Sequence, residues 1–301
     1  MPTTGKEYIG GIIHPTLMVA FLCSLLGVAV AFHYGMFSPV DGILIIIGAL
    51  CANIAVNLIN DYDDSVSGID KGNVKTKFSG GSRFPIRSKS DQGLALAIGV
   101  ASAMVALSIG LSFAYYDLVL LPMIIVGAAS VFLYTRNFSK LPYISEPLVM
   151  LNYSLLGLGS FIAVMGSARH AMEVFVFVFL PVGILVGLIL LVNGLPDKVS
   201  DKKHGRKSAS VLLDSKHSLA RFYAACYAIA CALVALGFAL GYLPVFALAT
   251  LLTIPFAFGV YGMIKKYKNP KAFEACLCVN VFGTLLFVLL FIFVYTLVPI
   301  V

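Results

Sequence analysis

Long apolar stretches without charge recur along this chain. Eight stretches contain no Asp, Glu, Lys or Arg: residues 8–40, 42–60, 92–116, 118–135, 147–168, 174–196, 222–264 and 275–301. Because a helix that crosses a bilayer needs about 20 apolar residues, most of these stretches fit one helix each. The stretch 222–264 is long enough for two helices, and Gly241-Tyr242-Leu243-Pro244 supplies a turn at its middle.

This pattern predicts nine membrane-spanning helices. They are expected near residues 11–32, 42–64, 93–115, 118–135, 147–168, 174–197, 218–240, 244–264 and 273–297. The segment 118–135 is the shortest, and it follows the third helix almost without a loop. The predicted fold class is therefore all-α, a polytopic membrane bundle of nine transmembrane helices.

The composition supports a membrane protein. Of the 301 residues, 60% are hydrophobic and 12% are charged, whereas a soluble domain carries about 25% charged residues. This balance excludes a water-soluble globular protein and a disordered one. The six cysteines all lie in apolar segments and form no CxxC pair, so we interpret them as small hydrophobic residues.

The basic residues are distributed unevenly between the two predicted membrane faces. With nine helices, 20 of the 21 Lys and Arg residues fall on the side of the N-terminus, and only Arg169 falls on the other. The positive-inside rule then predicts a multi-pass protein of the cell membrane with a cytoplasmic N-terminus and an external C-terminus. We expect the lipid bilayer, and not nucleic acid, to be the partner of the net charge of +7.

Acidic residues form a first cluster at the end of the second predicted helix. At about 100° per residue, one polar face of this helix collects Asn57, Asn60, Asp61 and Asp64. Asp63 points elsewhere, and Gly68 marks the expected end of the helix. A solvated helix end is the ordinary explanation for a single cluster of this kind, whereas an Asp at membrane depth usually serves a pathway or a site.

A second cluster repeats the spacing of the first. Asn193, Asp197 and Asp201 follow one another at intervals of four, which predicts one helix face. The pattern Asn-x-x-x-Asp thus occurs at 57/61 and at 193/197, and both helices are expected to deliver it to the same cytoplasmic surface. We interpret the repeat as a loose duplication of helices 1–4 and 5–8, followed by a ninth helix, within a single domain over residues 1–301.

Two facing rows of carboxylates can bind a diphosphate only through a cation. Carboxylates hold Mg²⁺, which bridges to phosphate oxygens, and basic residues complete such a site. The basic candidates come from the loops after the second and fourth helices: Lys71, Lys75, Lys77, Arg83, Arg136 and Lys140. Since the membrane interior suits a lipid tail, the pattern favours a substrate with a diphosphate head and an isoprenoid chain.

These residues resemble a known family. Asn60-Asp61-Tyr62-x-Asp64-x-x-x-Gly68-x-Asp70 is similar to the first aspartate-rich motif of the UbiA-type intramembrane prenyltransferases, in the form found in the menaquinone branch. Asn193-x-x-x-Asp197-x-x-x-Asp201 is similar to their second motif. Gly80-Gly81-Ser82-Arg83 resembles their glycine-rich segment, and Tyr134-Thr135 with Lys140, Pro142 and Glu146 resembles their loop after helix 4.

The resemblance implies a helical bundle around a central cavity, capped by polar loops on the cytoplasmic side. Two Mg²⁺ ions would hold an isoprenyl diphosphate, one bound by Asp61 and Asp64 and the other by Asp197 and Asp201. The amides of Asn57, Asn60 and Asn193 would orient these ligands or bind phosphate oxygens. Tyr134 would contact the diphosphate or a cation formed from the prenyl chain.

The implied reaction is Mg²⁺-dependent transfer of the prenyl group to an electron-rich aromatic acceptor. The 4-hydroxybenzoate and archaeal-lipid branches usually carry a third Asp four residues after the second one, and an Arg-Pro element after the first motif. This sequence has neither, since its next aspartate is Asp70, and the difference favours a naphthoate-type quinone precursor. Prenyl transfer to a glycerol-phosphate acceptor is the main alternative.

Two other classes of membrane protein are less well supported by the pattern. An acid-lined transporter would need ionisable groups deep in the helices, whereas these acids lie at helix ends. A CDP-alcohol phosphotransferase carries its acids close together, whereas 136 residues separate Asp61 from Asp197.

Overall fold

The computed structural model describes residues 15–69 and 88–297, and within these two ranges all regular structure is helical. In chain order the helices are α1 (Thr16–His33), α2 (Pro39–Ser67), α3 (Lys89–Ala114), α4 (Leu120–Leu133), α5 (Ser145–Met165), α6 (Ala171–Asn193), α7 (Lys198–Lys203), α8 (Ala209–Leu212), α9 (Lys216–Ala239), α10 (Val245–Ile264) and α11 (Pro270–Leu297). The first turns of α10, Val245–Thr253, are a 3₁₀-helix, and Phe175–Phe179 in α6 form a π-helical turn.

The predicted all-α membrane bundle is confirmed. Among the described residues, eight helices are long and apolar enough to cross a membrane, and a ninth, α4, spans 14 residues. The short helices α7 and α8 lie in the connection between α6 and α9. The arrangement of these helices as a duplicated pair stays a prediction.

Local sequence explains where α2 begins and ends. The Ser38 hydroxyl accepts a hydrogen bond from the backbone N–H of Asp41 at 3.3 Å, and Pro39 occupies the first turn, where no N–H partner is required. At the other end Gly68 adopts φ +77°, a left-handed conformation that suits glycine. The expected end of the helix at Gly68 is thereby confirmed.

The second acidic cluster lies on a broken helix rather than on one continuous helix. Helix α6 ends at Asn193, residues 194–197 form turns, and α7 begins at Lys198. Pro196 has no backbone N–H and cannot continue the helical hydrogen bonds. The prediction of one helix through residue 197 is therefore wrong, although the N–H of Asp201 still bonds to the carbonyl of Asp197 at 2.8 Å.

Small residues allow α5 and α6 to approach closely. A side chain on Gly183 or Gly187 would collide with Met150, and one on Gly183 would also meet Ser154. Such contacts between small residues are a common basis of helix association in membranes. The packing places the end of α6, which carries Asn193, beside the beginning of α5.

Candidate functional site

The two acidic clusters meet at one guanidinium group. Arg206 donates from Nη2 to Asp64 Oδ1 at 2.5 Å and from Nη1 to Asp201 Oδ1 at 3.1 Å. The side chains of Asp64 and Asp201 are 7% and 8% exposed. Asp61 and Asp197, each one turn earlier in the chain, are buried as well. We call these four aspartates together with Arg206 the aspartate site.

Burial and charge act in opposite directions on the ionisable groups of the site. Burial raises the pKa of the Asp201 carboxyl, the neighbouring Arg206 charge opposes this rise, and the Asp64 carboxylate adds to it. Burial alone would lower the pKa of Arg206, but the two carboxylates raise it above its ordinary value. Arg206 therefore remains charged and partly neutralises the two acidic clusters.

Residues from α2 and the end of α4 hold Asp64 from the other side. Asn60 donates from its amide nitrogen to Asp64 Oδ2 at 3.2 Å, and its amide oxygen accepts from the hydroxyl of Thr135 at 2.5 Å. The hydroxyl of Tyr134 lies near Ser145 and Arg206. The loop after α4 thus orients the first cluster through Asn60.

The backbone of the loop after α4 also holds the segment that carries Arg206. The N–H of Lys207 donates to the carbonyl of Ser139 at 2.8 Å, and the N–H of Tyr143 donates to the carbonyl of Lys207 at 2.9 Å. The N–H of Arg206 itself donates to the Asp201 carbonyl at 2.9 Å. These bonds determine the direction from which the guanidinium enters the site.

Glu146 at the start of α5 holds the backbone of the residues that follow Arg206. Its carboxylate is fully buried and accepts the backbone N–H groups of Ala209 at 2.9 Å and Ser210 at 3.3 Å. On the opposite side, the Ser200 hydroxyl donates to the carbonyl of Ile69 at 3.0 Å, which joins α7 to the end of α2. Glu146 thus positions the start of α8, three residues after Arg206.

A polar network lies deeper in the bundle, one to two turns before Asp61. The amide nitrogen of Asn57 donates to Thr16 Oγ1 and to Asn53 Oδ1, both at 2.9 Å. The amide nitrogen of Asn53 donates in turn to the hydroxyl of Tyr153 at 2.9 Å. This network joins α1, α2 and α5 in a region where unpaired polar groups are costly.

Some predicted residues lie away from the aspartate site or outside the described chain. Arg136 is 60% exposed and forms a bidentate pair with Asp63, at 2.8 Å for the closest atoms. Lys140 is exposed, and Asn193 is half-buried at the end of α6. Lys71, Lys77 and Arg83 fall outside the described residues. The roles assigned to these six residues stay predictions.

Sequence reasoning missed Arg206. The segment Lys202-Lys203-His204-Gly205-Arg206-Lys207 offers several basic residues, and periodicity does not distinguish the one that turns inward. The usable signal was the presence of a basic residue five positions after Asp201, on a segment too short and polar to cross the membrane.

The donor set fits a metal that takes further ligands from a substrate. The described residues contain no group of three or more His, Cys, Asp or Glu side chains that could hold a metal ion alone. Mg²⁺, however, usually binds through one or two carboxylates together with substrate phosphates and water. Asp64 and Asp201 place two carboxylates on either side of the Arg206 guanidinium. Two carboxylates are enough for a Mg²⁺ ion that takes its other ligands from phosphate and water.

Comparison with known proteins identifies the family. The model of the UbiA prenyltransferase family matches residues 20–282. The chain belongs to this family. This UbiA-family protein is accordingly a prenyltransferase enzyme, and the resemblance inferred from its motifs is confirmed.

A curated relative and two solved structures are similar to this prenyltransferase. The 1,4-dihydroxy-2-naphthoate octaprenyltransferase of Bacillus subtilis (strain 168) is 29% identical over 235 residues, which cover 75% of this chain and 73% of that protein. The apo structure of a UbiA homologue from Aeropyrum pernix K1 matches with a TM-score of 0.69 and 16% identity, over 88% of this chain and 94% of the other.

A UbiA homologue from Archaeoglobus fulgidus, solved with bound DMAPP and Mg²⁺, matches with a TM-score of 0.59 and 18% identity, over 97% of this chain and all of the other. At these identities the two solved structures establish the fold of the prenyltransferase. The curated relative supports the menaquinone branch of the family.

Proposed function

We propose that this prenyltransferase transfers an isoprenyl group from a prenyl diphosphate to an aromatic quinone precursor, in a Mg²⁺-dependent reaction within the cell membrane. The observation that carries the proposal is the meeting of both acidic clusters at Arg206, with Asp64 and Asp201 on either side. The Bacillus subtilis relative is named for a naphthoate acceptor, and the Archaeoglobus fulgidus homologue was solved with DMAPP and Mg²⁺.

The chain's own residues bind and orient the diphosphate. Asp61 and Asp64 on one side and Asp197 and Asp201 on the other would provide ligands for two Mg²⁺ ions. Bound Mg²⁺ would offset the negative charge that develops on the departing diphosphate. Arg206, held between the clusters, contributes a fixed positive charge beside the same group.

The remaining parts of the site would favour capture of the prenyl cation by the acceptor over its capture by water. The allylic C–O bond breaks, the diphosphate leaves, and an electron-rich carbon of the acceptor ring attacks the prenyl cation. That carbon then loses its proton to the released diphosphate, which restores the aromatic ring. Asn53 of the deeper polar network is buried, and its partners Thr16, Asn57 and Tyr153 are half-buried, as is Tyr134. Water must be excluded from such a site because it would otherwise capture the cation.

A direct assay tests the proposal. Purified protein in phospholipid nanodiscs receives Mg²⁺, prenyl diphosphates of several lengths, and a naphthoate, a benzoate or a glycerol-phosphate acceptor, and mass spectrometry identifies the products. We expect prenylated naphthoate as the main product and no product in the presence of EDTA. Preferential prenylation of glycerol phosphate would contradict the proposed aromatic acceptor and support transfer to a glycerol-phosphate acceptor instead.

Two matched variants in the first cluster test the site itself. Asp61→Asn removes a buried carboxylate, and we expect the rate to fall by at least about 100-fold, which corresponds to ~3 kcal/mol of lost transition-state stabilisation. Asp63→Asn changes an aspartate two positions away that pairs with Arg136, and its rate should remain within about threefold of the wild type. A normal rate in Asp61→Asn would refute the assignment of the aspartate site.

A further inference from the structure

A basic cavity lies between α7 and the turn before α11. Its volume is about 510 Å³. Lys198, Lys202 and Lys203 of α7 line one wall, and Tyr267 and Lys268 line the other from the turn before α11. Four ammonium groups therefore surround one space that the proposed reaction does not use.

A second, smaller cavity extends this basic surface inward. It measures about 220 Å³ and shares Lys202 and Asp214 with the first cavity. Lys207 and Arg206 complete its basic lining. Because Arg206 also bonds to Asp64 and Asp201, a row of positive charge leads from the aspartate site to the surface of the protein.

Most of this positive charge is not used to hold the fold together. In the part of the chain that the structure describes, the ammonium groups of Lys202, Lys203 and Lys268 form no ion pair, and all three side chains are exposed. Lys198 differs: it is 15% exposed, donates to the carbonyl of Leu213 at 2.8 Å and lies 3.8 Å from Asp214. Asp214 is 83% exposed and is the one described acid in either lining.

We propose that the two adjoining cavities form a binding site for a phosphate-bearing anion, distinct from the four aspartates and bordered by Arg206. Lysines scattered at helix ends serve topology alone, but several ammonium groups around one cavity match the charge and hydrogen-bonding needs of a phosphate group. The ligand is either the phosphate of a lipid headgroup at the membrane edge or free diphosphate that leaves past Arg206. The second source rests on the proposed function, because diphosphate would be the product of prenyl transfer.

The first arm of the test measures free diphosphate. Purified protein in nanodiscs of phosphatidylcholine is titrated with inorganic diphosphate in EDTA, so that carboxylates without a cation cannot bind it, and binding is followed by calorimetry. The variant Lys202→Gln/Lys203→Gln/Lys268→Gln removes three charges from the cavity. We expect its affinity for diphosphate to fall by at least about tenfold, since a hydrogen bond to a charged group contributes this much.

The second arm measures lipid. Protein is purified from membranes that contain phosphatidylcholine and phosphatidylglycerol, and native mass spectrometry counts the phosphatidylglycerol molecules that remain bound. If a lipid headgroup is the ligand, the triple variant should lose the phosphatidylglycerol that the wild type retains.

A matched control removes the same charge elsewhere. Lys216→Gln/Lys266→Gln/Lys271→Gln changes three exposed lysines that line neither cavity, and it should behave as the wild type in both arms. A loss confined to the cavity variant in one arm identifies the source of the phosphate. Equal behaviour of the two triple variants in both arms would overturn the proposal. Prenyl transfer by the wild type is measured in parallel, so failure of the proposed function is a separate result.

Discussion

The two acidic clusters share a spacing but not a backbone. The first lies on α2, a continuous helix of 29 residues that carries Asn57, Asn60, Asp61 and Asp64 along one face. The second crosses a break, with Asn193 at the end of α6, Asp197 after a turn and Asp201 on α7. The same sequence spacing therefore corresponds to two backbone conformations. The first cluster lies on one continuous helix, and the second lies on a helix, a turn and a second helix.

This difference shows where each cluster obtains its geometry. The helical period alone directs the side chains of the first cluster. The second cluster requires support from distant residues, which Glu146, Ser139 and Ile69 provide through hydrogen bonds to the segment 200–210. We therefore expect the second cluster to be more sensitive to substitutions far from it in sequence.

The largest effect is expected from separating the two clusters. Arg206→Gln leaves the buried carboxylates of Asp64 and Asp201 without their shared positive charge, so the free energy of unfolding should fall by about 3–5 kcal/mol. Thermal unfolding in detergent measures the change. Arg136→Gln is the control, because the Arg136 side chain is 60% exposed; its partner Asp63 is 10% exposed, so loss of this bidentate pair should cost about 1–2 kcal/mol, less than the loss of Arg206. Equal melting temperatures for the two variants would show that Arg206 does not stabilise the site.

A smaller effect is expected from removing the support of the second cluster. Glu146→Ala deprives the N–H groups of Ala209 and Ser210 of their acceptor, at a cost of about 2–3 kcal/mol for hydrogen bonds to a charged group. Amide hydrogen exchange should accelerate at these two residues and remain unchanged in the middle of α2. Glu146→Gln keeps an acceptor oxygen and should restore part of the protection. Faster exchange throughout α2 would mean that the clusters do not differ as described.

The smallest effects are expected at two glycines that flank the clusters. An added Cβ at Gly194 would lie 2.7 Å from Ser210 Oγ, so Gly194→Ala should cost about 2 kcal/mol, and adding Ser210→Ala should recover part of this loss. Gly68 has free space around it but a φ of +77°, so Gly68→Ala should cost about 1 kcal/mol through backbone strain alone. Chemical denaturation of the single and double variants measures both. A rescue of Gly68→Ala by Ser210→Ala would contradict this distinction.

Several features of the fold and site follow from local sequence. Within residues 15–69 and 88–297, charge-free length located the eight long apolar helices and the shorter α4, and the turn at Gly241 agrees with its φ of +78°. The helical period correctly separated Asp64, which pairs with Arg206, from Asp63, which pairs with Arg136. The prediction of a continuous helix from Asn193 to Asp197 was wrong, because helical periodicity takes no account of the missing backbone N–H of Pro196.

The sequence by itself determined the approximate placement of the apolar helices and the polar face of α2, because these depend on apolar length and on a repeat of neighbouring residues. Only the tertiary structure decided that Arg206 joins the clusters and that Arg136 pairs with Asp63. Those partners lie 142 and 73 positions apart. Which basic residue pairs with a given aspartate depends on the position of the loop backbone that carries it. For Arg206 that position is set by long-range hydrogen bonds, such as those of Glu146 and Ser139 to the residues that follow it.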